Sequence, residues 1–161
     1  MLRCQRSPNT PQITMQHFPL LLLQHIAANF PNLSLVAEDC GQLETAEDTY
    51  PVTFPCVLIG NTDTEWQDLE ESGSAQRGNA TITVRLAIDC YDDVHVGSTQ
   101  EYTIYERLQL AHDIQASLQA LQFDETPDVL PLSRIRTRDY TLPGNIKVYE
   151  SLFRFTAYED L

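Results

Sequence analysis

The chain has 161 residues, 42% of them hydrophobic and 20% charged, which suits one globular domain with a real core and argues against a disordered polymer. Its 23 acidic residues against 10 basic ones leave a net charge of −13. A surface of that sign does not wrap nucleic acid, because such binding draws on basic groups that neutralise phosphates. Lys147 is the only lysine, so positive charge sits almost wholly on arginine, the side chain suited to forked pairing with carboxylates, and protein contacts are its expected use.

The first dozen residues, "MLRCQRSPNTPQ", mix two prolines with polar residues and are expected to form a flexible arm over 1–12. Arg3 and Arg6 ahead of the apolar run Phe18 to Leu23 imitate a secretory leader. That run is too short, the basic stretch too long, and Gln24 and His25 interrupt it. No stretch approaches the length of a membrane span, and the expected place is the cytoplasm. A helix is expected over about residues 15–30, where Leu22, Ile26 and Phe30 fall four apart, Pro19 sits in the first turn and Pro31 stops the pattern. His17 and His25 lie two turns apart with no third ligand behind them, so they read as helix-surface histidines rather than a metal pair.

Two strands follow, a weak one in "LSLVAE" and a stronger one in "FPCVLIG", Phe54 to Gly60, separated by a polar and acidic connection. Residues 61–79, "NTDTEWQDLEESGSAQRGN", carry turn formers at both ends and almost no apolar residue, and are expected to be a long polar loop of the kind that binds or moves. Asn61, Asp63 and Glu65 alternate like calcium ligands, but Trp66 stands where an EF-hand needs glycine. Trp66, the only tryptophan, lies among Asp63, Glu65, Asp68, Glu70 and Glu71. It is either an anchor for a partner, as tryptophan often is at interfaces, or a side chain folded back on its own domain.

"TITVRLAIDCYDD", Thr81 to Asp93, alternates most clearly, with Ile82, Val84, Leu86, Ile88 and Cys90 in an apolar row. Ser98 and Glu101 have capping-box spacing ahead of a helix from Thr99 to about Leu121, whose Ile104, Leu108, Ala111, Ile114, Leu118 and Leu121 are expected to face a sheet. "LSRIRTRDY" and "IKVYESLFRFTAY" read as two strands joined by the tight turn "LPGN". In the last strand Ile146 and Val148 point one way while Phe153 and Phe155 have the opposite parity, which predicts a bulge near Ser151. The expected fold class is α+β: one domain over 13–161 with a mainly antiparallel sheet, two helices and the long polar loop between strands.

No pattern fixes a catalytic chemistry. GxSxG, GxxxxGK[ST], HExxH and GxGxxG are all missing from the sequence. Cys4, Cys40, Cys56 and Cys90 form no CxxC pair, have no motif linking them to His95 or His112, and read as buried free thiols. Asp89, Asp92 and Asp93, with Glu101 and Glu106 nearby, are the best case for an enzyme holding a divalent ion, although acids at a helix start are also expected from its dipole. Arg134, Arg136 and Arg138 recur at every second position and would share one face of a strand. That face is either solvated or complementary to the acidic loop of another copy, which suits head-to-tail association into a ring.

The order of these elements resembles the tail-terminator, or tail-completion, family of long-tailed bacteriophages. The likeness covers about Ile13 to Asp160 and is carried by "FPLLLLQHI", "PCVLIG", "TVRLAIDCYDD", "YTIYERLQLAHDIQASLQAL", "RIRTRDY" and "YESLFRFTAY". It implies a non-enzymatic virion protein without a cofactor, assembled in the host cytoplasm. Copies would form a ring, expected to be a hexamer, on the end of the tail tube, stop its growth and join it to the head connector. Its partners would be itself, the tail tube protein and the connector protein, with Arg134, Arg136, Arg138, Trp66, Glu70 and Glu71 at the assembly interface. Genomic DNA would pass through the channel, repelled by its acids and not specifically bound.

Overall fold

A computed structural model describes residues 14–45, 49–90, 95–98 and 101–161, so the arm expected over 1–12 lies outside it. A single 3-10 turn, Met15–His17, leads into helix α1, Phe18–Asn29. Strands β1 (Leu35–Glu38), β2 (Cys56–Asp68) and β3 (Ala75–Asp89) precede helix α2 (Glu101–Leu118), and strands β4 (Ser133–Leu142) and β5 (Ile146–Asp160) close the chain. The five strands make one sheet in the order β1-β2-β3-β5-β4, with only the β1–β2 pair parallel. The fold is α+β and mainly antiparallel, as the periodicity predicts.

Both helices lie against one face of the sheet. From α1, Phe18, Leu22 and Ile26 are buried; from α2, Ala111, Ile114 and Leu118; they meet Val57, Ile59, Ile82, Val84, Leu86, Phe153 and Phe155 of the strands. Phe18 packs on Phe155 at a ring-centroid distance of 4.8 Å and edge-on to Phe123 at 5.9 Å. Pro19 falls in the first turn of α1, where its missing N–H costs no helical bond. The amino-terminal half of α2 departs from expectation. Leu108 is 52% exposed and Tyr102 and Tyr105 are exposed too, so the buried apolar contacts come from the later part of the helix, while Arg107 reaches β5 by donating to the Tyr149 hydroxyl at 3.0 Å.

The opposite, outer face is divided. Around its proximal half, residues 39–45 and 49–55 lie across the strands and close a second, smaller core of Leu43, Cys56, Leu58, Ala87, Ile146 and Val148, against which Tyr50, Phe54 and Tyr140 pack. The Tyr50 hydroxyl donates to the Pro143 carbonyl at 2.8 Å and ties that cover to the β4–β5 turn. The distal half of the outer face has no such cover among the described residues.

This two-sided burial replaces the bulge expected near Ser151. The register of β5 against β3 runs unbroken, with Glu150 opposite Arg85 and Ser151 opposite Val84. Ile146 and Val148 fill the outer core while Phe153 and Phe155 fill the helix-side core, so one regular strand serves two interiors.

The long polar loop is also corrected. Residues 61–79 are mostly the distal ends of β2 and β3, a hairpin whose turn is confined to Leu69–Ser74 and closed by the Leu69 N–H donating to the Ala75 carbonyl at 2.8 Å. One extra residue in β2 between Gly60 and Asp63 makes a bulge, with Asn61 in the left-handed region at φ 55°. Thr64, Trp66, Gly78 and Ala80 continue the helix-side row past the bulge; Trp66 is its one large apolar side chain, so the row is too sparse to stand out as a core face.

Candidate functional site

The arginine row does not survive folding intact. β4 carries a bulge at Ile135, because Arg134 lies opposite Phe153 whereas Arg136 lies opposite Leu152. Facing residues of an antiparallel pair point to the same side, so Arg134 joins the helix side while Arg136 and Arg138 take the outer face. Arg134 accordingly donates from Nη1 to Gln115 Oε1 of α2 at 2.6 Å, and its backbone N–H donates to Gln119 Oε1 at 2.9 Å. Arg138 donates from Nε to Glu150 of β5 in its own subunit and lies over the Tyr140 ring at 5.2 Å. That carboxylate contact raises the Arg138 guanidinium above its ordinary value. β4 is also an edge strand, and a bulge with alternating charge is a known way of blocking edge-to-edge pairing.

Another arginine holds the strongest charge cluster. Arg85 of β3 is only 6% exposed and points into the covered proximal half of the outer face. Its Nη2 stands 2.7 Å from Asp39, whose side chain is buried; Nη2 also donates to Glu44 Oε2 at 3.1 Å and Nη1 to the Tyr140 hydroxyl at 3.3 Å. Tyr140 passes the chain on by donating to Glu150 Oε1 at 3.3 Å. Burial by itself would lower Arg85, but Glu44, Tyr140 and Asp39 outweigh it and raise the guanidinium. The same hydrogen bond from Arg85 holds the Glu44 carboxyl below its usual 4.5. Gly60 makes room for this cluster, since a Cβ there would stand 3.0 Å from the Asp39 Cβ.

The distal half of the outer face differs. A hollow of about 700 Å³ opens there between the hairpin and the segment before β4. Arg77 and Arg154 line it together with Asp63, Glu65, Leu130 and Pro131. Arg136 stands beside it, its partner Leu152 being two residues along β5 from Arg154. Arg77, Arg136 and Arg154 are exposed and pair with no carboxylate among the described residues.

Trp66 is on a strand, not a mobile loop. It is 40% exposed and crosses Gly78 of β3, where an added Cβ would meet Trp66 Cζ3 at 2.8 Å. It also walls a smaller apolar hollow of about 150 Å³ with Met15, Phe18, Pro19 and Phe155 on the helix side. Its ring packs across its own hairpin while 40% of the residue stays exposed. Glu70 and Glu71 lie at the hairpin tip. Glu70 accepts from the Ser74 and Ser72 hydroxyls, which lower its pKa, and Leu69 beside it is 53% exposed.

The residues weighed for catalysis do not converge. Asp89 ends β3, Glu101 accepts the Gly97 N–H at 3.1 Å, and Asp92 and Asp93 lie outside the described residues. Among the described residues no three His, Cys, Asp or Glu side chains are grouped to hold a metal. Asn61, Asp63 and Glu65 run along β2 rather than around a loop. Of the thiols, Cys40 is exposed, contrary to expectation; Cys90 takes a contact from Arg107 Nη1 at 3.2 Å; and Cys56 is buried, which pushes its thiol up to about 11. No helix among the described residues is long and apolar enough to cross a membrane. The sequence carries little sign of Arg77, Arg154 and the Arg85 cluster; the signal is the polar row Thr81, Thr83, Arg85 of β3, legible only once its two halves are known to have different cover.

What the elements define is a two-helix, five-stranded α+β fold. No family model matches the chain, and no curated protein matches it in sequence. Among solved structures the fold is similar to a chain of the "Virion of native gene transfer agent (GTA) particle", with a TM-score of 0.53 and 10% identity over 85% of this chain and 91% of that one.

Proposed function

We propose that this chain is a structural subunit of a tailed, phage-like particle, and more finely that it is a tail terminator: a ring on the end of the tail tube that stops its growth and joins the tail to the head connector. The observation that carries the reading is the fold likeness to a virion chain over most of both lengths. The order of elements that resembles the terminator family supports it from the sequence side. A net charge of −13 per subunit suits a channel wall that repels DNA and lets it slide. The chain then works by shape and charge, as one copy among several in the particle, with no bond-making of its own.

Deleting the gene from the genome that encodes the chain tests this. Electron microscopy is expected to show tail tubes of uncontrolled length without heads. Tails of normal length beside unattached heads would move the chain to a connector role. Intact particles would overturn the reading.

A further inference from the structure

The distal outer face poses a physical problem that the subunit does not solve alone. Three arginines stand there unpaired in a chain with 23 acids, beside a hollow whose floor includes the exposed Leu130 and Pro131. At the end of the same hairpin, the turn offers the opposite combination: Asp68, Glu70 and Glu71 around the exposed Leu69. Glu70 is kept ionised by two serine hydroxyls, and Gly73 at φ 69° allows the tight return that displays the acids. The hollow also carries Asp63 and Glu65, so with Arg136 beside it the three arginines leave an excess of one positive charge to face the three acids of the tip, and the tip's Leu69 has apolar counterparts in Leu130 and Pro131.

We propose that the hairpin tip of one copy docks into the distal outer-face hollow of the next, with its acids against Arg77, Arg136 and Arg154 and Leu69 against Leu130 and Pro131. The occupant is a second copy of this chain. The contact is heterologous, because tip and hollow are different surfaces of one subunit, and repetition either closes a ring or extends a filament. It rests on the ring reading and deepens it, replacing Arg134 and Arg138, which are occupied inside the subunit, with Arg77 and Arg154. Trp66 takes no part, since it lies on the helix side of the hairpin. Charge pairs at such a contact set register and suppress wrong partners, and their strength falls with salt.

Sedimentation of the purified full chain, over a concentration series at low and high salt, tests the pairing. Glu71→Arg leaves the Glu70–serine contacts of the turn in place, and Arg154→Glu changes an exposed strand residue; thermal melts confirm that both variants fold. Each is expected to weaken association at least about tenfold, and the two changes combined in one chain are expected to restore it, because the charges are exchanged. Variants that associate as the wild type does, a combined variant no better than either alone, or a wild-type chain that stays monomeric throughout would each overturn the pairing. None of these touches the gene-deletion experiment, because a ring can close through other surfaces.

Discussion

The two halves of the sheet's outer face are made from the same strands and end in opposite states. Proximally, Arg85 is matched by Asp39 and Glu44 under the cover of residues 39–45 and 49–55, and the exposed Arg138 is matched by the buried Glu150 at its margin. Distally, Arg77, Arg136 and Arg154 stand uncovered beside Asp63 and Glu65 without an ion pair among the described residues. A buried guanidinium must find carboxylates, because its desolvation is otherwise uncompensated. An exposed one is free to wait for a partner. Position in the fold, rather than residue type, therefore separates arginines that hold the subunit together from those available to another chain.

Arg85→Ala is the change expected to break the proximal half. It leaves the buried Asp39 carboxylate without its cation, and loss of one member of a buried pair costs about 3–5 kcal/mol. Urea denaturation reads this as a lower midpoint with an unchanged slope. Arg85→Lys is expected to recover only part of the loss, since a single ammonium cannot serve Asp39, Glu44 and Tyr140 as a planar fork does. The pH dependence follows from the Glu44 shift. Its folded pKa is depressed, so the stability it supplies is complete above the ordinary 4.5 and is lost as pH falls through the folded value.

Cys56 makes the next largest contribution, at the other end of the pH scale. Burial raises its thiol from 9.0 to about 11, so the unfolded chain releases a proton that the folded chain retains. Its share of stability is whole below pH 9 and falls between 9 and 11, by on the order of 2 kcal/mol. Urea midpoints across that window should decline for the wild type and less for Cys56→Ala. At neutral pH a thiol reagent is expected to label the exposed Cys40 while Cys56 stays protected.

The sequence shows the interior of this fold more clearly than its outer face. Period-two rows in β3 and the four-apart rhythm of α1 report burial, and both elements are found in place. The distal hairpin resembles a loop in sequence because its outer row, Asp63, Glu65, Arg77 and Asn79, is bare, and its inner row, Thr64, Trp66, Gly78 and Ala80, has one large apolar side chain, too few to register as a core. The parity switch in β5 imitates a bulge, because a single strand gives no sign that a remote segment covers its second face. The bulge lay instead at Ile135, where Arg-Ile-Arg-Thr-Arg has an uninterrupted alternation that the pairing with Phe153 and Leu152 breaks. Register belongs to two strands at once, and one strand's residues do not contain it.

Two smaller effects sharpen the contrast at the distal end. Gly78→Ala sets a methyl within 2.8 Å of the Trp66 ring edge and 2.9 Å of Thr64 Cγ2. The ring can swing outward, so the expected cost is about 1 kcal/mol, with Trp66 fluorescence shifted to the red as the indole meets water. Arg154→Ala is the smallest change. The side chain is exposed and unpaired, so subunit stability should stay within about 0.5 kcal/mol of the wild type, an order of magnitude below the Arg85 effect. A loss of several kcal/mol at Arg154 would mean that the distal arginines are structural after all, and the division of the outer face into a closed half and an available half would collapse.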